Sequence, residues 1–136
     1  MVLMIHYRIQ RQELRLFFKS AKRAAFRGKE VCGLLVRLNN RLLLIPVTNA
    51  TKEPGSFWIT PRYWLIALAA NQLDSKQVEG TYHSHPFSPA EPGEGDIASA
   101  CQGSLMLIFS CWDNEARLWR IQDGKAKPVR FLRSIA

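Results

Sequence analysis

Two histidines and an aspartate in one short stretch have the spacing of a metal site. His83 and His85 are separated by one residue, and alternate side chains of a strand point to the same face, so both imidazoles can converge on one ion. Pro86 ends the strand, and a loop rich in proline and glycine leads back to Asp96. Zn²⁺ held by two nitrogens and one oxygen keeps its fourth tetrahedral position open for water, which is typical of a catalytic zinc.

The histidine pair also has a simpler interpretation. Taken alone, His-x-His on a strand is more often two polar side chains on a solvated face than a metal site. The proline-bounded loop and the returning aspartate favour the metal site.

A carboxylate and a thiol stand far upstream, at the start of an apolar strand. Glu30 can act as general base and acid if it lies buried beside a metal-activated water, although a charge at a strand start is usually solvated. Cys32 follows two residues later and is expected on the same face. A cysteine protease pairing Cys32 with His83 or His85 is the weaker interpretation, because nothing in the sequence marks an activated thiolate.

The elements that would position these residues predict an α+β fold, a mixed β-sheet flanked by two main helices plus a short helix after the metal loop. Apolar residues recur at helical spacing over residues 10–26, and Gly28 stops that helix. Thr60 and Pro61 cap a second helix, expected to be largely buried and to run to about Leu73. Strands are predicted at 3–9, 31–38, 41–47, 57–60, 78–84, 104–112, 116–121 and 129–132, and a short helix at 95–100.

Smaller features complete this prediction. Asn39-Asn40 predicts a hairpin turn, and residues 48–56 predict a loop that could serve as a flap over a substrate. The aromatics of residues 57–60 are expected in the core or in one wall of a substrate groove. Trp112 and Trp119 are expected in the core, and His6, on the first strand, receives no function.

Length and composition indicate a single domain over residues 1–136, with 47% hydrophobic residues to form one core. The sequence has no apolar run long enough for a membrane span, and its start does not resemble a signal peptide. Its three cysteines form no C-x-x-C pair, which suits thiols kept reduced. We therefore expect a cytoplasmic protein with no membrane partner.

The formal net charge is +8. No single dense basic run stands out, so a solvated basic surface is favoured over a dedicated nucleic-acid site. An acidic protein partner is a third interpretation.

Glu30 with Cys32-Gly33-Leu34-Leu35, then His83-Ser84-His85-Pro86, then Asp96, resembles the JAMM motif of the JAB/MPN+ zinc metalloprotease family. The order and lengths of the predicted elements are similar along nearly the whole chain. The resemblance implies the JAB/MPN fold, which is cytidine-deaminase-like.

The resemblance also implies a function, which is hydrolysis of the bond after the C-terminal tail of a ubiquitin-like modifier. It implies Zn²⁺ held by His83, His85 and Asp96, with Glu30 as the general base. The implied partners are a ubiquitin-like protein or its conjugate and proteins of a ubiquitin-activation-like pathway.

The sequence departs from the family motif at one position. The family places a serine three residues before the aspartate, where its hydroxyl helps to hold the oxyanion, and this chain has Gly93. Loss of one oxyanion donor slows catalysis by about a hundredfold or more in other enzymes. Ser88, or a backbone N–H near Gly93, could substitute.

Three functions therefore compete. The first is the zinc isopeptidase. The second is a weakly active or inactive MPN-type module that binds a modifier or partner, favoured by Gly93 but opposed by the intact Glu30. The third, less favoured, is a basic domain that binds nucleic acid.

Overall fold

A computed structural model describes residues 7–135 of the chain. His6 and most of the first expected strand lie outside the described residues. The elements in chain order are β1 (Tyr7–Gln10), α1 (Arg11–Ala25), β2 (Cys32–Leu38), β3 (Arg41–Val47), α2 (Pro61–Ala70), a 3₁₀ turn (Ser75–Gln77), β4 (Val78–His85), α3 (Glu94–Ser99), β5 (Leu105–Ser110), β6 (Glu115–Gln122), β7 (Lys125–Val129) and β8 (Phe131–Ser134).

Six of the strands form one mixed sheet in the order β3-β2-β4-β5-β6-β7. Within this sheet only the β4–β5 pair is parallel, and the connection between these two strands carries α3. The first and last strands, β1 and β8, pair in parallel and form a separate two-stranded sheet. The central position of β4 explains its burial on both faces.

The two faces of the sheet are covered by different helices. On one face α1 buries Leu14, Phe17 and Ala21 against the sheet residues Leu35, Tyr82 and others of the largest core cluster. On the other face α2 packs over Leu34 and Val36, and the segment around α3 packs over Met106 and Ile108. The predicted α+β class with a helix-flanked mixed sheet is confirmed.

The β2–β3 hairpin forms at the predicted turn. Asn39 and Asn40 have φ values of 50° and 65°, which is the conformation that a two-residue type I′ turn requires and that asparagine tolerates. Gly33 in β2 allows close packing, since a side chain there would collide with the Tyr82 ring and the Ile45 carbonyl.

Several expectations about apolar segments are wrong. Residues 57–60 are not a strand. The second helix ends at Ala70, and it is not largely buried, because it touches the sheet along one stripe and leaves Leu65 65% exposed. Trp112 is 71% exposed in the turn after β5. Trp119 packs against a core cluster as expected.

The last predicted strand, over residues 129–132, proves to be two strands. Its first residue ends β7, the edge of the main sheet, and the rest belongs to β8. No helix within residues 7–135 is long and apolar enough to cross a membrane.

Candidate metal centre

The two histidines lie at the carboxyl end of β4 and point into one site. His83 is fully buried, and its ring stacks on Phe57 with centroids 4.5 Å apart. The His83 and His85 Nε2 atoms are 3.0 Å apart. The alternation of side chains along a strand therefore brings both imidazoles to one point, as the spacing predicts.

The loop after β4 is held against the sheet by its own carbonyl groups. The carbonyl of Pro89 accepts from His85 Nδ1 at 2.7 Å, that of Ser88 from Ser110 Oγ at 2.6 Å, and that of Ala90 from Trp119 Nε1 at 2.9 Å. These three contacts fix the loop and therefore the position of the start of α3 relative to β4. The first turn of α3 then presents Asp96 to the histidines.

Asp96 completes a compact triangle of ligand atoms. Its Oδ2 lies 3.2 Å from His83 Nε2 and 3.3 Å from His85 Nε2. The same oxygen accepts the backbone N–H of Gly93 at 2.9 Å. Burial raises the pKa of the Asp96 carboxyl, but the hydrogen bonds and charges of His83 and His85 outweigh burial and hold the pKa far below its usual range.

The triangle fits a small cation. Metal–ligand bonds of 2.0–2.1 Å in a tetrahedron place ligand atoms about 3.3 Å apart, close to the three distances here. His85 Nδ1 faces a carbonyl and therefore carries a hydrogen, which leaves Nε2 for the site. Two ring nitrogens and a carboxylate oxygen this close together need a positive charge between them, either a proton or a metal ion that replaces it.

His83 differs from His85 in how its ring is held. Within the described part of the chain, its Nδ1 is buried with no hydrogen-bond partner, whereas metal-bound histidines usually donate this N–H to a neighbouring acceptor. Stacking on Phe57 and full burial fix the His83 ring instead. Burial lowers the pKa of His83, which favours the neutral form that binds metals.

Glu30 reaches the site through the register of β2 against β4. Cys32 pairs with His83 in this antiparallel pair, so continuation by two residues sets Glu30 opposite His85. Ser84 secures this continuation, since its Oγ accepts the Val31 N–H at 3.0 Å and its own N–H donates to the Val31 carbonyl at 3.0 Å. Glu30 is 7% exposed.

The electrostatics of Glu30 suit a proton acceptor. Burial raises the pKa of its carboxyl to about 7, and the nearby charge of His85 partly opposes this effect. A carboxyl with a pKa near neutrality can both take and return a proton at physiological pH.

The raised pKa of Glu30 predicts a pH-dependent cost to stability. Between about pH 4.5 and 7 the folded state keeps a proton that the unfolded chain releases, so stability falls as pH rises through this window. We expect Glu30→Gln to increase the unfolding free energy of the metal-free protein by roughly 2 kcal/mol at pH 8, and by less than half of that at pH 5. Urea denaturation in the presence of a chelator measures both values, and an equal effect at the two pH values contradicts the assignment.

Three of the four predicted residues line one open cleft of about 690 Å³. Glu30, His85 and Asp96 line it, together with the end of the 48–57 segment and the loop after β4. His83 is buried against Phe57 and reaches the site through its Nε2, 3.0 Å from that of His85. The structure therefore brings together all four residues that the sequence singled out.

Cys32 does not have the environment of a nucleophile. Its thiol donates to the Val47 carbonyl at 3.6 Å, and burial together with the charge of Glu30 raises its pKa to about 12. A thiol of this kind is protonated and inert at neutral pH.

Replacement of Cys32 separates the thiol and metal interpretations. On the metal interpretation, we expect Cys32→Ala to leave any hydrolysis by this protein within about threefold of the wild-type rate, because a protonated thiol is not a nucleophile. A loss of more than about a hundredfold, with the fold and the bound metal intact, would return the cysteine to the mechanism.

Gly93 is the N-cap of α3, and its N–H is used by Asp96. The N–H of Gly93 itself is therefore not free to hold an oxyanion, and a neighbouring backbone N–H stays a prediction. Ser88 is exposed and lines the cleft, so it remains within the region where a second donor could act.

Asn49 is a residue of the site that the sequence did not reveal. Its Nδ2 donates to the carbonyls of Glu30 and Ser56, both at 3.0 Å, and its Oδ1 accepts the N–H groups of Thr51 and Trp58. One amide thus ties the backbone of Glu30 to both ends of the loop that walls the cleft. Asparagine in a polar loop is too common for a single sequence to single it out.

Comparison with known proteins assigns this chain to a family. The family model described as prokaryotic homologs of the JAB domain matches residues 11–122. Among solved structures, a protein from Desulfitobacterium hafniense is 21% identical with a TM-score of 0.77, and the match covers 96% of this chain and 94% of that one. A comparison with curated proteins finds no significant match.

Two further structures carry the family names. A JAB1/MPN domain protein from Archaeoglobus fulgidus is 15% identical with a TM-score of 0.56, covering 98% of this chain and 99% of that one. A structure described as "JAMM: a metalloprotease-like zinc site in the proteasome and signalosome" is 17% identical with a TM-score of 0.57, covering 97% and 99%. At these identities the structures establish the fold alone, and the family model establishes the family. The chain belongs to the prokaryotic homologs of the JAB domain.

Proposed function

We propose that this protein is a zinc-dependent isopeptidase or peptidase that cleaves after the C-terminal tail of a ubiquitin-like modifier. The observation that carries the proposal is the triangle of His83, His85 and Asp96 ligand atoms, 3.0–3.3 Å apart, in one cleft with the buried Glu30. Two imidazoles and a carboxylate suit zinc better than calcium or magnesium, which prefer all-oxygen sites.

Each residue has a distinct part in the proposed reaction. Zinc in this triangle supplies an acidified water and a polarised scissile carbonyl. Glu30 takes the proton of the attacking water and passes it to the leaving nitrogen as the C–N bond breaks. His85 is oriented for its part by the carbonyl of Pro89, and Asp96 by the N–H of Gly93.

The walls of the cleft suit an extended peptide. Gly55, Ser56 and Phe57 border it on the side of the predicted flap, and Asn49 holds both ends of that segment through Thr51 and Ser56. A flexible tail can lie here in extended form, because backbone hydrogen bonds position a peptide without demanding large side chains. We therefore place the modifier tail between the flap and the metal centre.

The test pairs metal analysis with cleavage of a ubiquitin-like modifier fused through its C-terminal tail to a reporter. We expect about one zinc per chain and release of the reporter that stops with a chelator and returns with zinc. Zinc binding without cleavage of any modifier fusion or conjugate would favour the binding-module alternative, for which Gly93 is the supporting observation.

The Gly93→Ser variant tests the missing oxyanion donor. Gly93 has φ −79°, and a Cβ there would meet only Asp96 Oδ2 at an ordinary 3.7 Å, so serine fits without strain. We expect kcat to rise by about tenfold or more, with unchanged metal affinity. Steady-state kinetics on one modifier fusion measure the gain, and an unchanged kcat would mean that another group already holds the oxyanion.

A further inference from the structure

The net positive charge of this protein comes from its two chain ends. Residues 1–29 hold eight of the 19 Lys and Arg and one of the 11 Asp and Glu. Residues 124–136 hold four basic residues and no acidic one. The segment between them, with seven basic and ten acidic residues, is mildly negative.

The fold brings these two basic ends to one side of the molecule. Strand β8 pairs with β1, and Phe131 of β8 packs against the core cluster that contains Leu14 and Phe17 of α1. Helix α1 and strand β8 therefore cover the same face of the main sheet. The basic residues near the two ends of the sequence are therefore concentrated on one side of the folded surface.

Helix α1 turns its cations outward in a narrow arc. Arg11, Arg15, Lys19, Lys22 and Arg23 are all exposed, and at 3.6 residues per turn they fall within about one third of the helix circumference. The only acidic residue of the helix, Glu13, instead accepts the Leu44 N–H in the interior. We call the outer side of α1 together with β8 the basic face.

Within the described part of the chain, the cations of the basic face form no ion pair with an acidic side chain. Among residues 7–135, the Lys and Arg ion pairs within 4 Å are those of Arg37 and Arg117, both outside this face. Solvated cations of one sign raise the local potential and attract an acidic surface.

Exposed apolar side chains are interleaved with these cations. Phe26 is 93% exposed at the end of α1 and Leu16 is 55% exposed on its side, while Leu132 and Ile135 are 53% and 86% exposed on and after β8. Mixed apolar and arginine-rich surface is typical of protein interfaces. Aliphatic side chains gain little from a phosphate backbone, so this mixture favours a protein over a nucleic acid.

The basic face ends at the rim of the metal cleft. After α1 the chain passes through Gly28, whose carbonyl accepts the Gly55 N–H at 3.1 Å and which lies beside Phe87. Gly55 and Phe87 both line the cleft. Glu30, which also lines it, follows two residues after Gly28 in the chain. A protein docked along α1 would thus have its terminal segment within reach of the cleft.

We propose that the basic face is the docking surface for the folded body of an acidic protein, which binds by charge complementarity and by burying Phe26 and Leu16. Delivery of its tail into the cleft rests on the proposed function, whereas the docking itself does not.

The test measures binding of a short synthetic peptide rich in glutamate and leucine. Glu30→Ala protein is used, so that hydrolysis does not enter, and binding is followed at low salt and at about 0.15 M salt. One variant combines Arg15→Glu with Lys19→Glu on the basic face. Its matched control combines Arg62→Glu with Lys76→Glu, which are exposed cations elsewhere, so both variants lower the net charge equally.

We expect the affinity to fall with salt and to drop about tenfold in the α1 variant, with a change of at most about twofold in the control. Equal losses in both variants would mean that the peptide senses net charge alone, and would overturn the proposal. Tighter binding of a short DNA duplex than of the peptide, with loss in the α1 variant, would assign the face to nucleic acid instead. Absence of peptide binding at low salt would also overturn it.

Discussion

Glu30→Ala is expected to lower kcat by about 10²- to 10⁴-fold, the range that general acid–base catalysis contributes, and to leave the metal in place. Glu30 lies opposite His85 and lines the cleft, but it does not belong to the cluster of ligand atoms formed by His83, His85 and Asp96. Its removal therefore takes away the proton carrier and spares the cation. Zinc analysis and single-turnover cleavage of a modifier fusion measure the two effects on one preparation.

Glu91→Ala is the matched control for this experiment. Glu91 is another carboxylate of the same cleft, but its side chain is 62% exposed and its ion pair with Arg117 is long, at 3.6 Å. Its removal also takes a carboxyl group out of the cleft, but not a buried proton acceptor, and should change kcat by less than about threefold. Wild-type turnover in Glu30→Ala, or equal losses in the two variants, would remove Glu30 from the mechanism.

Asp96→Ala has the second large expected effect, which is loss of the metal itself. Its carboxylate supplies the only negative charge of the triangle, and its strongly lowered pKa keeps it ionised across the physiological range. We expect zinc affinity to fall by more than about a hundredfold, since even neighbours that only orient a ligand contribute 10–100-fold. Competition with a chromophoric chelator measures the affinity, and activity should fall in parallel.

Glu94→Ala controls for the short helix. Glu94 is an exposed carboxylate in the same first turn of α3, so both variants lose a helix N-terminal charge while only Asp96→Ala loses a ligand. Glu94→Ala should bind zinc as wild type does. Wild-type zinc affinity in Asp96→Ala would exclude the carboxylate from the coordination set.

The parts of the site that the sequence could predict are those set by local geometry. The two-residue period of a strand brings His83 and His85 to one face, and the Asn39-Asn40 turn fixes the hairpin that starts with β2. The proximity of Glu30 depends on more, since it requires the register of β2 against β4. The glutamate alone did not indicate that Glu30 lies near the histidines. Only its occurrence together with the His-x-His and Asp96 motif did.

What the sequence could not predict depends on long-range contacts. Asn49 reaches Glu30 through a hydrogen bond between residues 19 apart in the chain, and Phe57 packs on a histidine 26 positions away. The apolar content of α2 suggested burial, but how much of the helix surface packs on the sheet depends on the folded structure. The buried fraction of α2 could therefore not be predicted from its composition.

X-ray absorption at the zinc edge of the zinc-loaded protein identifies the atoms bound to the metal. We expect about four nitrogen or oxygen ligands at about 2.0–2.1 Å, two of them with the multiple-scattering pattern of imidazole, and no sulfur at about 2.3 Å. A sulfur shell, which Cys32 would supply, or fewer than two imidazoles would contradict the assignment of His83, His85 and Asp96 as the metal site.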